Sequence, residues 1–503
     1  MHDEPRRVAL GDGRTGIDDV VAVARDGARV TIAAGVDAAL VRARVVVESA
    51  AARNEPVYGL NSALGANTGA PLAPSERQLY QVRAVRARAV GVGPPLPAER
   101  VRAAMFVRAA GLARGGSGVS PGVFHALVDA LNGGFLPHVP ALGSIGVADL
   151  PQMAHIALAL SGEGDAWQGD ARIPAARALA VAGLAPAALD TKDGLALMSS
   201  NAATVGHASL VLFDLGRALA AWDDVIALSF EGFRANLSPL DPRAQAARPA
   251  PLQAEAAARL MRALAGSGLT KPDAARRVQD PLSFRCVASV HGAVLEAVER
   301  AVLHVGIELN GTADSPLVDA DADRLLSTGN FHVPGLALAH ESAGLAIAQA
   351  ATLGVERCVR LLSPSASDLP LQLTRHGPAQ SGFATVQKPL TALANEIRHL
   401  ANPASLDFLP VSEGLEDHAT MAPAAVAKLA TIVDRLVHLI AIEAVVAAQA
   451  VDLRERGVRA TLGAGAGRAY DAVRARAAFL DDDRPLAPDF EAVAAWLRDT
   501  GAP

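Results

Sequence analysis

Residues 143–155 combine the residue types that could organise a reactive loop. They read Gly-Ser-Ile-Gly-Val-Ala-Asp-Leu-Pro-Gln-Met-Ala-His, and Gly-Glu-Gly follows at 162–164. The glycines permit a tight backbone path, while the serine and the aspartate add a hydroxyl and a carboxylate. Only Val147 and Ala148 stand between the second glycine and the aspartate. Neither carries a hydroxyl or a charge, so this part of the loop offers no reactive group.

A tyrosine in a glycine-rich segment and a lysine before a proline are further candidates for chemistry. Residues 58–69 begin with Tyr58 and contain three glycines and two asparagines, which predicts a mobile loop. Composition also allows an ordinary surface turn. Lys388 is followed by Pro389, a pair that favours the start of a helix. The lysine would then lie near the positive end of the helix dipole.

Long amphipathic helices are expected to position these groups. Apolar residues recur every three or four positions in three segments, as a buried helical stripe requires. No proline interrupts residues 424–457, and at about 1.5 Å per residue such a helix would be on the order of 50 Å long. Several such helices predict a bundle. The stripes are Leu212, Leu215, Leu219, Trp222, Val225 and Leu228, then Val287, Val290, Val294, Val298, Val302, Val305 and Leu309, and finally Val426, Leu429, Val433, Leu436 and Ile440.

Composition favours an all-α fold. Aromatic residues make up only 4% of the 503 residues, which favours long helices with small-residue packing over a β-sandwich. Residues 133–141 are predicted to form a loop. We predict an N-terminal domain of residues 1–205 that carries the two loops. Residues 206–503 are predicted to form a long-helix bundle domain with peripheral C-terminal helices.

Charge and cysteine content exclude several classes of partner. The net charge is −6 without long blocks of one sign, so neither nucleic acid nor a membrane is an expected partner. Arg83, Arg86 and Arg88 form a short basic cluster, expected as a solvated helix face. Cys286 and Cys358 are far apart, and no HExxH spacing occurs, so no disulfide and no metal are expected. No uninterrupted apolar run approaches bilayer length, and we predict a cytoplasmic protein.

Together these motifs resemble the aromatic amino acid ammonia-lyases, histidine ammonia-lyase above all. Residues 143–150 are similar to the family's signature loop, where Gly-Ser-x-Gly and Asp-Leu flank an Ala-Ser-Gly triplet. Further similar segments occur in the family's order, which makes the resemblance specific. They are 58–61 (Tyr-Gly-Val-Asn in the family), 193–197 (Glu-Gly-Leu-Ala-Leu), 281–286 (Pro-Tyr-Ser-Leu-Arg-Cys), 329–332 (Gly-Asn-Phe-His) and 415–418 (Gln-Glu-Asp-His).

The resemblance implies a fold, an assembly and two residue roles. The fold would be that of histidine ammonia-lyase, assembled as a homotetramer with sites shared between subunits. Tyr58 would remove the β-proton of the substrate. Arg285 would pair bidentately with the substrate carboxylate, a geometry that lysine does not reproduce. The alternatives are a tyrosine that packs on the surface and an arginine in a structural salt bridge.

Departures from the family fall where substrate or electrophile would lie. In the family, Ala-Ser-Gly cyclises into an electrophilic methylidene-imidazolone. This chain lacks the triplet, so neither that group nor another cofactor is expected. The replacements are Val147-Ala148 for the triplet, Ser199-Ser200 for Asn-Gly, Leu282 for a tyrosine, Arg88 for a helical histidine and Lys388 for an apolar or aromatic residue.

The missing electrophile restricts the substrate. An ordinary amine leaves poorly, and the family's electrophile solves this by alkylating it. Without the electrophile, the substrate must already carry a nitrogen that leaves easily, such as a trimethylammonium group. The family includes a branch that eliminates trimethylamine from a histidine-derived betaine without the electrophile, and this chain resembles that branch. We therefore predict a carbon–nitrogen lyase acting on a small betaine.

The remaining residues can be assigned to such a substrate. Glu416 would accept a ring N–H of a thione-imidazole, and Lys388 would face the sulfur, which gains negative charge as the proton leaves. Alternatively, these two residues form a stabilising pair. Phe331, with Leu282 and Val147, would form the apolar wall that a quaternary ammonium needs. The other predicted substrate contacts are Arg88, Asn61, Asn330 and Ser199.

Two further functions stay open at this point. One is a lyase for another trimethylammonium betaine, such as the sulfur-free histidine betaine. The other is a catalytically silent protein that uses the fold for binding or assembly. Retention of Tyr58 and Arg285 argues against the silent protein.

Overall fold

The computed structural model describes residues 6–53, 57–68, 70–454 and 461–499. This part of the chain is mainly α-helical, as predicted. The α-helices are α1 (Ile17–Ala24), α2 (Val36–Arg53), α3 (Arg77–Arg88), α4 (Ala98–Leu112), α5 (Pro121–Asn132), α6 (Leu150–Leu160), α7 (Ala175–Val181), α8 (Asp193–Met198), α9 (Ala202–Phe233), α10 (Pro242–Ala247), α11 (Gln253–Ala263), α12 (Leu282–Arg285), α13 (Val287–Asn310), α14 (Pro334–Leu362), α15 (Pro364–Ser367), α16 (Gln387–Leu400), α17 (Ala422–Asp452), α18 (Ala464–Arg474) and α19 (Ala487–Asp499).

Short strands form small sheets beside the helices. The β1–β2 pair is parallel and the other pairs are antiparallel. The prediction that residues 133–141 form a loop is wrong for residues 136–137 and 140–141, which lie in β4 and β5. Leu136, for example, pairs with Trp167, a distant partner that no local pattern indicates. The strands are β1 (Arg7–Leu10), β2 (Arg29–Ile32), β3 (Val92–Pro95), β4 (Leu136–Pro137), β5 (Pro140–Leu142), β6 (Asp165–Gln168), β7 (Ala171–Pro174), β8 (Leu317–Asp319) and β9 (Arg324–Leu326), in the sheets β1-β2, β3-β5, β4-β6-β7 and β8-β9.

Two of the three predicted helical stripes are confirmed, whereas the stripe on α13 is only partly buried, since Val302 is 41% exposed. Every residue of the α9 and α17 stripes is buried, and α17 runs for 31 residues. At about 1.5 Å per residue this is close to the predicted length. The predicted helix extended to residue 457, whereas α17 ends at Asp452. Residues 455–460 lie outside the described part of the chain.

One helical stretch can be compared with a membrane span, although Ser199, Ser200 and Asn201 interrupt its apolar residues. Asp193–Phe233, which contains α8 and α9, is long and apolar enough to cross a membrane by length and composition. However, 89% of its apolar window is buried inside the protein. Such burial is typical of a core helix, which is apolar on more than one face.

The chain divides into two compact units, each made of separate segments. Residues 302–338 and 404–427 group with the N-terminal residues, because β8 and β9 pack on α2 and Met421 bonds to the loop before α6. The predicted domains of residues 1–205 and 206–503 stay a prediction. Unit 1 comprises Met1–Phe213, Val302–Leu338 and Ala404–Ala427; unit 2 comprises Asp214–Ala301, Ala339–Pro403 and Lys428–Pro503.

Unit 1 places three candidate segments next to one another. Helices α3, α6 and α8 pack together in pairs. Helix α3 ends at Arg88, α6 begins directly after residues 143–149, and α8 ends just before Ser199. The packing of three helices therefore brings their terminal loops into one region.

Unit 2 is built around a buried ion pair on long helices. Arg357 of α14 and Glu443 of α17 are both fully buried, and the Arg357 Nε to Glu443 Oε1 distance is 2.6 Å. Trp222 of α9 donates its indole N–H to the same carboxylate. Phe284 of α12 stacks on Phe233 of α9 with 4.1 Å between ring centroids. Thus α12, which carries Arg285, rests on the core of this unit.

Candidate active site

The loop at residues 143–149 is held from both sides. Within it, the Gly146 N–H donates to Ser144 Oγ at 3.1 Å. From the segment after residue 418, Thr420 Oγ1 donates to the Gly146 carbonyl at 2.9 Å, and the Met421 N–H donates to the Ile145 carbonyl at 2.9 Å. The loop is therefore a hydrogen-bonded part of unit 1.

A buried carboxylate connects this loop to the segment after α8. Asp149 accepts hydrogen bonds from Ser144 Oγ at 2.7 Å and from the N–H and hydroxyl of Thr204 at 2.7 and 2.9 Å. Burial raises the pKa of Asp149, whereas these hydrogen bonds favour its charged form. Its own N–H donates to the Ser200 carbonyl at 2.8 Å. Ser199 and Ser200 are both buried beside this contact.

The residues of the loop do not supply the atoms from which a methylidene-imidazolone forms. Val147 and Ala148 contain neither the hydroxyl that leaves as water nor the glycine nitrogen that closes the ring. Ser144, the nearest hydroxyl, donates to the carboxylate of Asp149. Ala148 is buried with φ of 55°, a backbone region that non-glycine residues seldom adopt.

The loop meets the segment that carries Asn330 and Phe331. Val147 forms an antiparallel bridge with His332, and Asn201 Nδ2 donates to the Phe331 carbonyl at 2.6 Å. Phe331 is half-buried. Asn330 is exposed, and its Nδ2 lies 3.4 Å from the Thr312 carbonyl. The structure thus brings Val147, the segment after α8 and residues 330–332 together, with Asn201 as a link that sequence reasoning missed.

The sequence motifs do not predict that two histidines, His332 and His418, pair in the structure. His332 Nε2 lies 2.7 Å from His418 Nδ1, with a ring-centroid distance of 4.9 Å. Phe408 packs beside His418 at 5.1 Å between centroids. Burial lowers the pKa of His332, and the neighbouring His418 lowers it further. Each histidine ends a recognisable motif, but no signal in the sequence indicates that they pair.

Tyr58 lies on a turn with defined backbone contacts. Its hydroxyl oxygen accepts the Gly65 N–H at 3.0 Å, and 36% of the residue is exposed. Tyr58 also forms a backbone bridge with Ser62. Asn61 is buried and its side-chain oxygen accepts the Val57 N–H at 2.8 Å, so it holds the turn. Gly69, at the end of the predicted loop, lies outside the described residues.

Only a glycine fits at position 59. It has φ of 69°, and a Cβ atom there would lie 2.6 Å from Leu195 Cδ2. Gln81 Nε2 donates to its carbonyl at 3.1 Å. The turn after Tyr58 is therefore pressed against α3 and α8, which fixes where the phenol ring can lie.

Glu416 lies on a turn beside the tyrosine turn. The 3₁₀ turn Gly65–Asn67 contacts the 3₁₀ turn Ser412–Gly414. Ser412 Oγ donates to Glu416 Oε1 at 2.9 Å, and Val411 bridges to Glu416 through the backbone. Tyr58 and Glu416, far apart in the sequence, thus lie on either side of two 3₁₀ turns of unit 1 that contact each other.

The basic cluster on α3 divides between surface and interior. Arg86 forms an exposed ion pair with Glu163 at 2.6 Å, and Arg83 is exposed. Arg88 is half-buried and donates to the Ala84 carbonyl at 3.2 Å. The expectation of a solvated face is therefore wrong for Arg88, because it ends the helix that packs on α6 and α8.

Two candidate residues, Leu282 and Arg285, belong to α12 in unit 2. Leu282 is 59% exposed, and Arg285 Nη1 donates to Gln279 Oε1 at 2.7 Å. Among the described residues, no carboxylate pairs with Arg285. The alternative of a structural salt bridge therefore has no support in this part of the chain.

Lys388 lies in the first turn of α16 and is exposed. The helix start that the following proline predicts is confirmed. A pairing with Glu416 stays a prediction. Within the described ranges no cluster of three or more His, Cys, Asp or Glu side chains is arranged to hold a metal. Cys286 and Cys358 are both free thiols.

Comparison with known proteins assigns the family. The family model for aromatic amino acid lyases matches residues 15–475. A histidine ammonia-lyase of Symbiobacterium thermophilum is 38% identical over 490 residues, covering 97% of this chain and 96% of the relative. Ergothionase of Treponema denticola, solved in complex with desmethyl-ergothioneine sulfonic acid, superposes with a TM-score of 0.93 at 32% identity, covering 98% of both chains. This chain belongs to the aromatic amino acid lyase family.

The resemblance inferred from the motifs is thereby confirmed at the level of the family and its fold. The structure also resembles tyrosine aminomutase from Streptomyces globisporus, with a TM-score of 0.91 and 31% identity over 98% of this chain and 97% of that one. A histidine ammonia-lyase, an ergothionase and an aminomutase are thus all similar to this chain. The substrate must be argued from the residues of the site.

Proposed function

We propose that this protein is a carbon–nitrogen lyase that works without a methylidene-imidazolone and releases trimethylamine from ergothioneine, leaving thiolurocanate. The observation that carries the proposal is Val147-Ala148 in place of Ala-Ser-Gly, in a loop that is otherwise retained. The bonds among Ser144, Asp149 and Thr204 support an intact loop that still shapes a site. The likeness to ergothionase of Treponema denticola also supports this substrate.

The chemistry needs no covalent activation by the enzyme. A base removes the proton from the β-carbon, and the C–H electrons form the new Cα–Cβ double bond. The Cα–N bond breaks at the same time, and its electrons leave with trimethylamine as a neutral molecule. The substrate thus provides the good leaving group that the family's electrophile would otherwise create.

Four residues carry the proposed reaction. Tyr58 removes the β-proton, and its partly exposed hydroxyl on a held turn supports this role. Arg285 binds the substrate carboxylate. This role is supported by the Arg285 guanidinium, which has no carboxylate partner within the protein among the described residues. Glu416 accepts a ring N–H through an oxygen that Ser412 already orients. Lys388 stabilises the negative charge that develops on sulfur.

The remaining site residues shape the pocket in this proposal. Phe331, Val147 and Leu282 provide apolar surface for the trimethylammonium group, and the 59% exposure of Leu282 leaves it accessible. Asn61 acts indirectly, since its side chain holds the tyrosine turn. The other proposed contacts are Asn330, Arg88 and Ser199. A homotetramer, a cytoplasmic location and the absence of cofactors, metals, membrane and nucleic-acid partners stay predictions.

A product assay tests the proposal. The purified protein is incubated separately with ergothioneine, sulfur-free histidine betaine and histidine, and trimethylamine, ammonia and the conjugated acrylate are followed. Trimethylamine from ergothioneine is the expected result. Ammonia from histidine would overturn the proposal, as would an intact mass that shows the loss caused by cyclisation and dehydration. Release from no substrate would favour a silent binding or assembly protein.

The Lys388→Met substitution is expected to affect the turnover of the two betaine substrates differently. We expect kcat/KM for ergothioneine to fall about 10²-fold, because the ammonium no longer stabilises the charge on sulfur. Turnover of the sulfur-free betaine should change little. Lys271→Met, at another exposed lysine of unit 2, is the matched control. Equal losses on both betaines would contradict the role of Lys388 at the sulfur.

A further inference from the structure

The chain that leads to Lys388 lies against the C-terminal end of the protein. We call residues 372–386 the approach segment and residues 479–499 the C-terminal arm. Both belong to unit 2. The arm contains α19 and was predicted to be peripheral, yet its first residues contact the approach segment through side chains and backbone.

A buried glutamine anchors both segments to α17. Gln449 is 1% exposed, and its Nε2 donates to the Leu480 carbonyl at 2.9 Å and to the Leu373 carbonyl at 3.2 Å. Its Oε1 accepts the Leu480 N–H at 3.0 Å. The arm and the approach segment are therefore fixed at one shared point, since a buried amide is costly to leave unpaired.

Beyond this anchor, one aspartate binds two consecutive backbone N–H groups. Asp483 Oδ2 accepts the Ser381 N–H at 2.7 Å, and Oδ1 accepts the Gly382 N–H at 2.9 Å. Hydrogen bonds to an ionised acceptor are stronger than neutral ones, and two of them define the orientation of the peptide. The neighbouring contacts are Asp482 Oδ1 to Gln380 Nε2 at 2.8 Å and Asp481 Oδ1 to His376 Nε2 at 3.1 Å.

The backbone held by Asp483 continues directly into the lysine helix. Gly382 has φ of 50°, and a Cβ atom there would lie 2.6 Å from the Gln372 carbonyl oxygen. The Phe383 N–H donates to the same Gln372 carbonyl oxygen at 3.0 Å, and the Phe383 side chain is buried. The 3₁₀ turn Ala384–Val386 then runs into α16 without a spacer. A shift at Gly382 would therefore move the first turn of α16, where Lys388 lies.

We propose that Asp483 is a positioning residue for Lys388. The carboxylate holds the Ser381–Gly382 peptide, and the buried Phe383 and the following turn transmit that position to the start of α16. The C-terminal arm thereby contributes to the preference for a substrate with sulfur at the imidazole. This consequence rests on the proposed function, whereas the positioning contact itself does not.

Amide hydrogen exchange tests the contact without any substrate. Asp483→Ala removes both acceptors, and we expect peptides covering residues 381–390 to exchange at least ~10-fold faster, with peptides from α13 unchanged. Asp483→Asn retains one oxygen acceptor and should show an intermediate rate. Asp499→Ala, at an exposed carboxylate of the same arm, is the control. Unchanged exchange at residues 381–390 in Asp483→Ala would overturn the proposal.

Kinetics test the consequence for the substrate. In Asp483→Ala we expect kcat/KM for ergothioneine to fall at least ~5-fold, with turnover of the sulfur-free betaine unchanged. Equal losses on both substrates would overturn the positioning role. If the unmodified protein releases trimethylamine from neither betaine, the proposed function fails. The exchange experiment then still decides whether Asp483 holds the approach segment.

Discussion

Tyr58→Phe is expected to lower kcat for trimethylamine release by ~10²–10⁴-fold, the range in which general bases contribute. The substitution keeps the ring and removes only the oxygen. That oxygen accepts the Gly65 N–H at 3.0 Å, and the 3₁₀ turn that begins at Gly65 contacts the turn before Glu416. Steady-state kinetics with ergothioneine measure the loss. KM should change less than kcat, because proton removal occurs only in the transition state.

A second tyrosine provides the control. The hydroxyl of Tyr80 accepts the Leu64 N–H at 2.7 Å, so both tyrosine oxygens hold the same turn through a backbone amide. Tyr80→Phe should therefore cost less than ~10-fold in kcat, since it removes a supporting bond but no base. If the two variants lost activity equally, the Tyr58 hydroxyl would serve to hold the turn, and another group would have to remove the proton.

Glu443→Ala is expected to lower the free energy of unfolding by about 3–5 kcal/mol, because it leaves Arg357 as a buried charge without its partner. The carboxylate accepts from Arg357 Nε and Nη2 at 2.6 and 3.0 Å. It also accepts from Trp222 Nε1 at 2.8 Å and Ser229 Oγ at 2.9 Å. Both ion-pair side chains are 0% exposed, so bulk solvent does not reach the groups that lose their partner.

Urea unfolding measures this loss as a shift in the midpoint at constant slope. Glu396→Ala removes an exposed ion pair with Arg435 and should cost at most about 1 kcal/mol. Similar losses of unfolding free energy in both variants would contradict the larger contribution of the buried ion pair. Because Arg357 Nη1 also donates to the Ser283 carbonyl at 3.3 Å, Glu443→Ala should disturb α12. KM should then rise more than kcat falls, since α12 carries Arg285.

Local chemistry made several features predictable from the sequence. The α9 and α17 stripes recur with the helical period, so burial follows from the order of neighbouring residues. Pro389 predicts the start of α16 because its fixed φ suits the first turn of a helix. The absence of the triplet at Val147-Ala148 is likewise read directly from the sequence. The order of the short motifs identified the family, since residue types and their spacing are read directly from the sequence.

Other features depend on which distant residues meet. β4 pairs with β6, His332 with His418, and Gln449 with both the arm and the approach segment. A hydrogen bond or a strand pair between remote segments depends on the path of the whole chain, and neither residue type nor periodicity specifies the partner. The C-terminal arm illustrates this: nothing in the order of its three consecutive aspartates indicates that two backbone N–H groups bind one of them.

The sequence by itself therefore determined the long helices and the absence of the triplet, because periodicity, capping and residue order act within a few residues, while its motifs in the family's order indicated the family. Only the tertiary structure decided that the turn after Tyr58 contacts the turn before Glu416, that Asp149 bonds its loop to the segment after α8, and that Asp483 binds the backbone of the approach segment. Each of these contacts joins segments that are distant in the chain, so packing of the folded units specifies them and no local signal does.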